Sequence, residues 1–148
     1  MVDFSHMKGS QIKSDSTSEY TIYEIMTGGQ HPTLIVKPST EANRPYYNEL
    51  LKRMRRISRR VRGGGMDVET VERSRDEDRE LFPLHVIEGW KDVYDANDKP
   101  VSYSVENCRD FLKVVADWIF DDVRNYCSDP TNFVDEEPDG AVEDTAKN

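Results

Sequence analysis

VENCRDFLKVVADWIFDDVRNYCSD, residues 105–129, is the stretch on which the fold turns. Ser104 stands directly before it, and a serine hydroxyl there can accept an orphan N–H of the first helical turn. At about 100° per residue, Val105, Cys108, Leu112, Val115, Ile119, Val123 and Tyr126 share one stripe, which Phe111, Val114 and Trp118 widen. A face this broad has to be buried, so the spacing predicts one long helix at the centre of the packing. Asp122 falls inside the apolar arc, as a carboxylate paired with an arginine or lying at a partly wet edge. Phe120 falls on the polar side, among Arg109, Lys113 and Arg124. An aromatic in that position is either a helix-end packing residue or an exposed anchor for a partner, and the wheel leaves both open. Trp118, at the margin of the stripe, reads as core.

The next stretch outward, HVIEGWKDVYDANDKPVSYS (residues 85–104), gives two strands around a turn at Asp95–Lys99. Asp and Asn supply its turn chemistry, and Pro100 can only open the second strand or lie at an edge. Trp90, on one strand face with Glu88 and Asp92, is expected to cover the core edge. His85 and Glu88 fall on opposite faces of that strand, which argues against a metal pair. Nearer the N-terminus, YTIYEIM (20–26) and TLIVKP (33–38) flank the turn TGGQHP, and the pair reads as a second hairpin.

Between the hairpins lie two helices. In the first, Asn43 is a plausible cap and Pro45 suits the opening turn. Its sequence runs into LLKRMRRISRRVRGGG (50–65), where Lys52, Arg53, Arg55, Arg56, Arg59, Arg60 and Arg62 all fall opposite an apolar face. That apolar face holds Tyr46, Tyr47, Leu50, Leu51, Met54, Ile57 and Val61, and Gly63–Gly65 end the helix. The second helix, MDVETVERSRDEDRELF (66–82), has Asp67 as its cap and (i, i+4) pairs Glu69–Arg73 and Arg73–Glu77. Its thin apolar stripe predicts a peripheral position.

The fold class expected is therefore α+β. A small single domain over residues 20–133 carries two β-hairpins and three helices, with a flexible segment at 1–19 and an acidic, disordered tail at 134–148. The chain's 148 residues suit one domain, and 36% hydrophobic against 33% charged residues describes a surface-rich protein. No run approaches the roughly 18 apolar residues of a membrane span. The first residues lack the apolar centre of a secretory signal, so a cytoplasmic location is expected. Cys108 and Cys127 sit about 28 Å apart along a continuous helix, too far to bridge, and read as buried free thiols.

Net charge is −9, an overall balance that argues against bulk nucleic-acid binding. The basic arc at 52–62 could still contact phosphates. It carries no interleaved aromatic to stack bases, however, and a solvated face complemented by the acidic helix and tail explains it as well. His6, His31 and His85 are scattered, and the glycine-rich TGG and RGGG lack the strand–loop–helix context of a phosphate cradle. No catalytic residue, no metal site and no cofactor is expected, and the chain reads as a non-enzyme. The residues put forward for partner binding are Phe120, Trp118, Trp90, Arg56, Arg59 and Arg60.

Four stretches in order, LIVKPSTEANRPYYNELLKR (34–53), RDEDRELF (75–82), VIEGWKDVYDANDKPVSYSVENCRDFL (86–112) and WIFDDVRNYCSDPTNF (118–133), resemble the tail assembly chaperones of tailed bacteriophages. Asp98 stands where that family's turn usually has Gly, and Tyr103 where it usually has Phe. The resemblance implies a non-catalytic helper that coats the tape-measure protein before the tail tube polymerises, then leaves. The mature virion would lack it. The resemblance also implies the tail tube protein as a further partner, reached through a longer frameshifted form. Self-association stays open. Two other classes remain: a nucleic-acid-binding regulator using the basic helix, and a permanent head–tail or tail component.

Overall fold

The computed structural model describes residues 2–7, 9, 15–60 and 68–134, with residues 57–60 in backbone only. After a short 3-10 turn at Ser5–Met7, strand β1 (Ser18–Thr21) pairs antiparallel with β2 (Thr33–Val36). Helices α1 (Arg44–Arg60) and α2 (Val68–His85) follow, then strand β3 (Ile87–Lys91), and finally α3 (Val105–Val114) and α4 (Asp117–Ser128). A last 3-10 turn covers Pro130–Phe133. The α+β class holds, with a sheet of order β1-β2-β3.

The first hairpin forms, but its first strand begins at Ser18 and ends at Thr21, so most of YTIYEIM is connection rather than strand. The second hairpin forms only at its tip. Val101 N–H donates to Val93 O at 2.8 Å and Asp95 N–H to Lys99 O at 2.8 Å, with an isolated bridge between Tyr94 and Pro100. The full ladder of β3 goes to β2 instead, from Thr33↔Lys91 to Val36↔Ile87 with a bulge at Ile35/Val36. This pairing makes one three-stranded sheet and leaves Leu34 and Val36 wholly buried on its helix side.

Asn43 caps α1 as its sequence suggests. Its backbone carbonyl accepts from Tyr47 N–H at 2.9 Å, and its amide donates to His85 O at 2.8 Å, tying the start of α1 to the end of α2. Proline at position 83 does not stop α2 at Phe82. The helix completes another turn, and Val86 N–H reaches back to Phe82 O at 3.0 Å. His85 thus ends a helix rather than opening a strand. The expected stop at Gly63–Gly65 and cap at Asp67 lie outside the described residues, as does the tail past Val134.

Helix α2 is not peripheral. Its C-terminal half buries Asp78, Leu81, Phe82 and Pro83, and it packs against α1, α3 and β3. A few large side chains at the right phase anchor it where the hydropathy stripe is thin, since Phe82 stacks edge-on to both Tyr46 (5.8 Å) and Phe120 (5.4 Å).

The long terminal helix is two helices. Val115 leaves helical geometry (ψ 134°), as does Ala116 (ψ 146°), and α4 restarts at Asp117. Ser104 Oγ caps α3 by accepting from Asn107 N–H at 3.0 Å. The break re-aims α4, so that Ile119, Phe120, Val123 and Cys127 face the core with Leu112 and Cys108 of α3.

Candidate partner-binding groove

Four local structures converge on one depression. The loop at 27–30 turns through Gly28 (φ +56°) and Gly29 (φ +76°), a left-handed pair that glycine adopts without steric cost. Thr27 Oγ1 donates to Asp92 O at 2.8 Å and accepts from Tyr94 N–H at 3.1 Å, fastening this loop to the segment after β3. Gly28 lies under the Tyr94 ring so closely that a Cβ there would meet it at 2.6 Å. On the other side, Asp95 Oδ1 accepts from Asn97 N–H (2.8 Å) and Lys99 N–H (3.0 Å), closing the 95–99 turn with Asp98 at φ +59°. Asp98 thus adopts a left-handed conformation, which glycine takes without steric cost.

The floor is aromatic. Trp90 stacks edge-on to Tyr103 at 5.2 Å and tilted against Phe111 at 5.5 Å, and its indole N–H donates to Val101 O at 2.8 Å. Tyr103 donates its hydroxyl proton to Ile87 O. The far wall is the α3–α4 junction, where Phe111, Val114, Val115, Ala116 and Ile119 line a groove of about 810 Å³ shared with Ile25, Val93 and Val101. Val114 is 86% exposed at its mouth.

The junction is held by Arg79 of α2. Its guanidinium donates to Leu112 O (2.9 Å) and Val115 O (3.0 Å), carbonyls at the end of α3, and pairs with Asp117 at 2.8 Å. Its carbon centre also lies 5.1 Å from the Phe120 ring centroid. Helix ends leave carbonyls without intrahelical partners, and an arginine fork is shaped to take two of them.

Behind the junction a polar network locks α4 to α1 and α2. Asp78, only 5% exposed, accepts from the Tyr46 hydroxyl (2.8 Å) and from Arg124 Nε (2.8 Å). Burial pushes the Asp78 carboxyl up despite the Arg124 partner. Asp121 takes two bonds from Arg75 (3.0 and 2.8 Å) and one from Arg124 (3.0 Å), and the Arg75 guanidinium holds its carboxyl below the usual range.

Against this geometry the sequence candidates divide. Phe120 is fully buried between Phe82 and Arg79, so it is no exposed anchor. The wheel drawn through an unbroken helix misphased it. Trp118 is 60% exposed, a correction to its reading as core, and the same break explains it. Trp90 covers the core edge and forms the groove floor. Asp122 is exposed, and the paired carboxylate is its neighbour Asp121. Arg56 is exposed on α1; the side chains of Arg59 and Arg60 lie outside the described residues. The basic arc is not wholly turned to solvent, because Arg53 donates to Glu77 and to Glu80 (2.6 Å) and lies 3.5 Å from Glu49. Of the two pairs expected along α2, Glu69–Arg73 forms at 3.2 Å, whereas Glu77 turns to Arg53.

Cys108 and Cys127 are free and buried, and burial pushes the Cys108 thiol up to about 12. Among the described residues no three His, Cys, Asp or Glu side chains gather where they could hold a metal ion, and no helix is long and apolar enough to cross a membrane. Sequence reasoning missed Arg79, Asp78 and Arg124. The one available signal was their place within RDEDRELF and DDVRNY, charged residues interleaved with large apolar ones.

These features define a small α+β protein with a preformed apolar groove and a polar network that braces it. The sequence profile of the YdaY prophage protein family matches residues 41–148, well over half of the chain, and the chain belongs to that family. It is a phage-related protein. The match takes in both helices of the junction, while β1, β2 and the 27–30 loop precede it. No curated protein and no solved structure matches this chain.

Proposed function

We propose that this protein is a non-catalytic tail assembly chaperone that holds an amphipathic helix of the tape-measure protein in the groove beside the α3–α4 junction. In this reading it works in the host cytoplasm and is left out of the finished virion. The observation that carries the proposal is the groove itself, whose mouth presents Val114 almost fully to water above an aromatic floor. Apolar side chains left in water gain free energy when covered, at about 25 cal/mol per Å². A helix presenting residues at i, i+3, i+4 and i+7 is the polypeptide shape that fills a groove of this kind. The resemblance to phage tail assembly chaperones and the membership of a prophage family point the same way. The groove is preformed, since its walls are fastened by Thr27, Trp90 and Arg79, so little ordering cost opposes capture.

Co-expression with the tape-measure protein encoded by the same prophage tests this. The tape-measure protein is expected to become soluble and to co-purify, and the chaperone to be missing from purified particles. A well-expressed tape-measure protein that stays insoluble and unbound contradicts the proposal. Retention of this chain in particles would instead make it a virion component.

A further inference from the structure

The groove has a charge as well as a shape. Among the described residues that line it, Asp95 and Asp110, both exposed, are the only ones from the Asp, Glu, Lys and Arg set, so the described lining is acidic. Asp95 uses Oδ1 for the turn, and among the described residues neither its Oδ2 nor the Asp110 carboxylate has a bonding partner. Glu106, Asp110 and Val114 stand four residues apart on α3 and so form one ridge, two exposed carboxylates leading to the exposed valine. The cations of the same helix, Arg109 and Lys113, line a separate cleft with Arg53, Arg79, Glu80 and Leu84.

Resting on the groove reading above, we infer that the captured segment is a cationic amphipathic helix, an apolar stripe flanked by Lys or Arg. Its apolar residues would cover the exposed Val114 and the half-buried Phe111 and Ile25 while its basic flank lies over Asp110 and Asp95. Like charges on one ridge repel each other when the groove is empty, and an arriving cation relieves that repulsion. A flank of opposite sign also steers encounter and rejects acidic helices of equal hydrophobicity. The chain's net charge of −9 acts in the same direction at longer range.

The test uses two synthetic amphipathic helical peptides with one Leu/Phe stripe, flanked by Lys in the first and by Glu in the second. The Lys peptide is expected to bind about 3- to 30-fold tighter at low salt, from two or three exposed pairs. That margin should shrink at about 0.5 M salt, where screening is short-ranged. Asp95→Asn with Asp110→Asn, which keeps a carbonyl acceptor at the turn, should remove most of the preference. Val114→Asn, which removes the apolar contact without adding a charge, should weaken both peptides. Equal affinity for the two peptides, still lost in Val114→Asn, overturns the charge inference and leaves the groove standing. Binding indifferent to Val114→Asn, or no binding of either peptide, overturns the groove reading and this inference together. A dimer that Val114→Asn dissociates would put a second copy in the groove and also overturns it.

Discussion

Phe120 and Trp118 show how two residues apart can exchange roles. Phe120 lies wholly inside, edge-on to Phe82, so Phe120→Ala should cost about 3–5 kcal/mol in chemical denaturation. Trp118→Ala, at a side chain 60% exposed, should shift stability by no more than about 0.5 kcal/mol. The sequence carried both aromatics but not their phase, because a helical wheel assumes continuity and nothing at Val115–Ala116 announces a break. Neither Pro nor Gly is there. The carbonyls freed at the break are taken by Arg79, which lies 33 residues before Leu112 and 36 before Val115, and no local pattern reports a partner that far away. Gly28 is a different case, since TGG reads directly as a turn. Gly28→Ala adds a Cβ at 2.6 Å from the Tyr94 ring in a left-handed backbone, and should cost about 1–2 kcal/mol and loosen the groove wall. Thermal melts of these variants check the order.

At the scale of elements, α1 and α2 are joined by charge and by a buried tie. The basic arc of α1 was legible as a face, as was the Asn43 cap. The division of its arginines was not, because that depends on where the acids of α2 fall. Arg53→Ala leaves Glu77 and Glu80 without their shared cation and should cost about 1 kcal/mol, whereas Arg56→Ala should be nearly silent. The α2–α4 contact predicts a pH effect with a definite sign. Asp121 has its folded pKa held below the usual 3.8 by Arg75, so its contribution is present above 3.8 and is lost as pH falls through the folded value. Asp78 acts oppositely: burial raises its folded pKa, so its protonated form favours the fold as pH drops towards 3.8. Asp121→Asn should start less stable than the native chain but lose less on acidification below about pH 4, as denaturation at several pH values would show.

For the whole molecule, the α+β class was readable from the alternation of turn-bounded strands and periodic helices. The sheet's pairing was not, because β3 chose β2 over its own hairpin partner. That choice is long-range: it buries Leu34 and Val36 beneath the helices and frees the 92–101 segment to become a groove wall. The groove was accordingly invisible in the sequence, although Trp90, one of its floor residues, stood out. Arg56, exposed on α1, is not part of the groove lining, and Arg53 is already engaged by α2. On the function proposed above, a partner meets the molecule at the α3–α4 junction and not at the basic helix. With both native cysteines buried and the Cys108 thiol pushed up to about 12, an introduced surface thiol can be labelled selectively. An environment-sensitive dye on Val114→Cys should shift to the blue when the tape-measure protein is bound, while the same dye on Arg56→Cys stays unchanged; a response at position 56 with none at 114 would contradict the account.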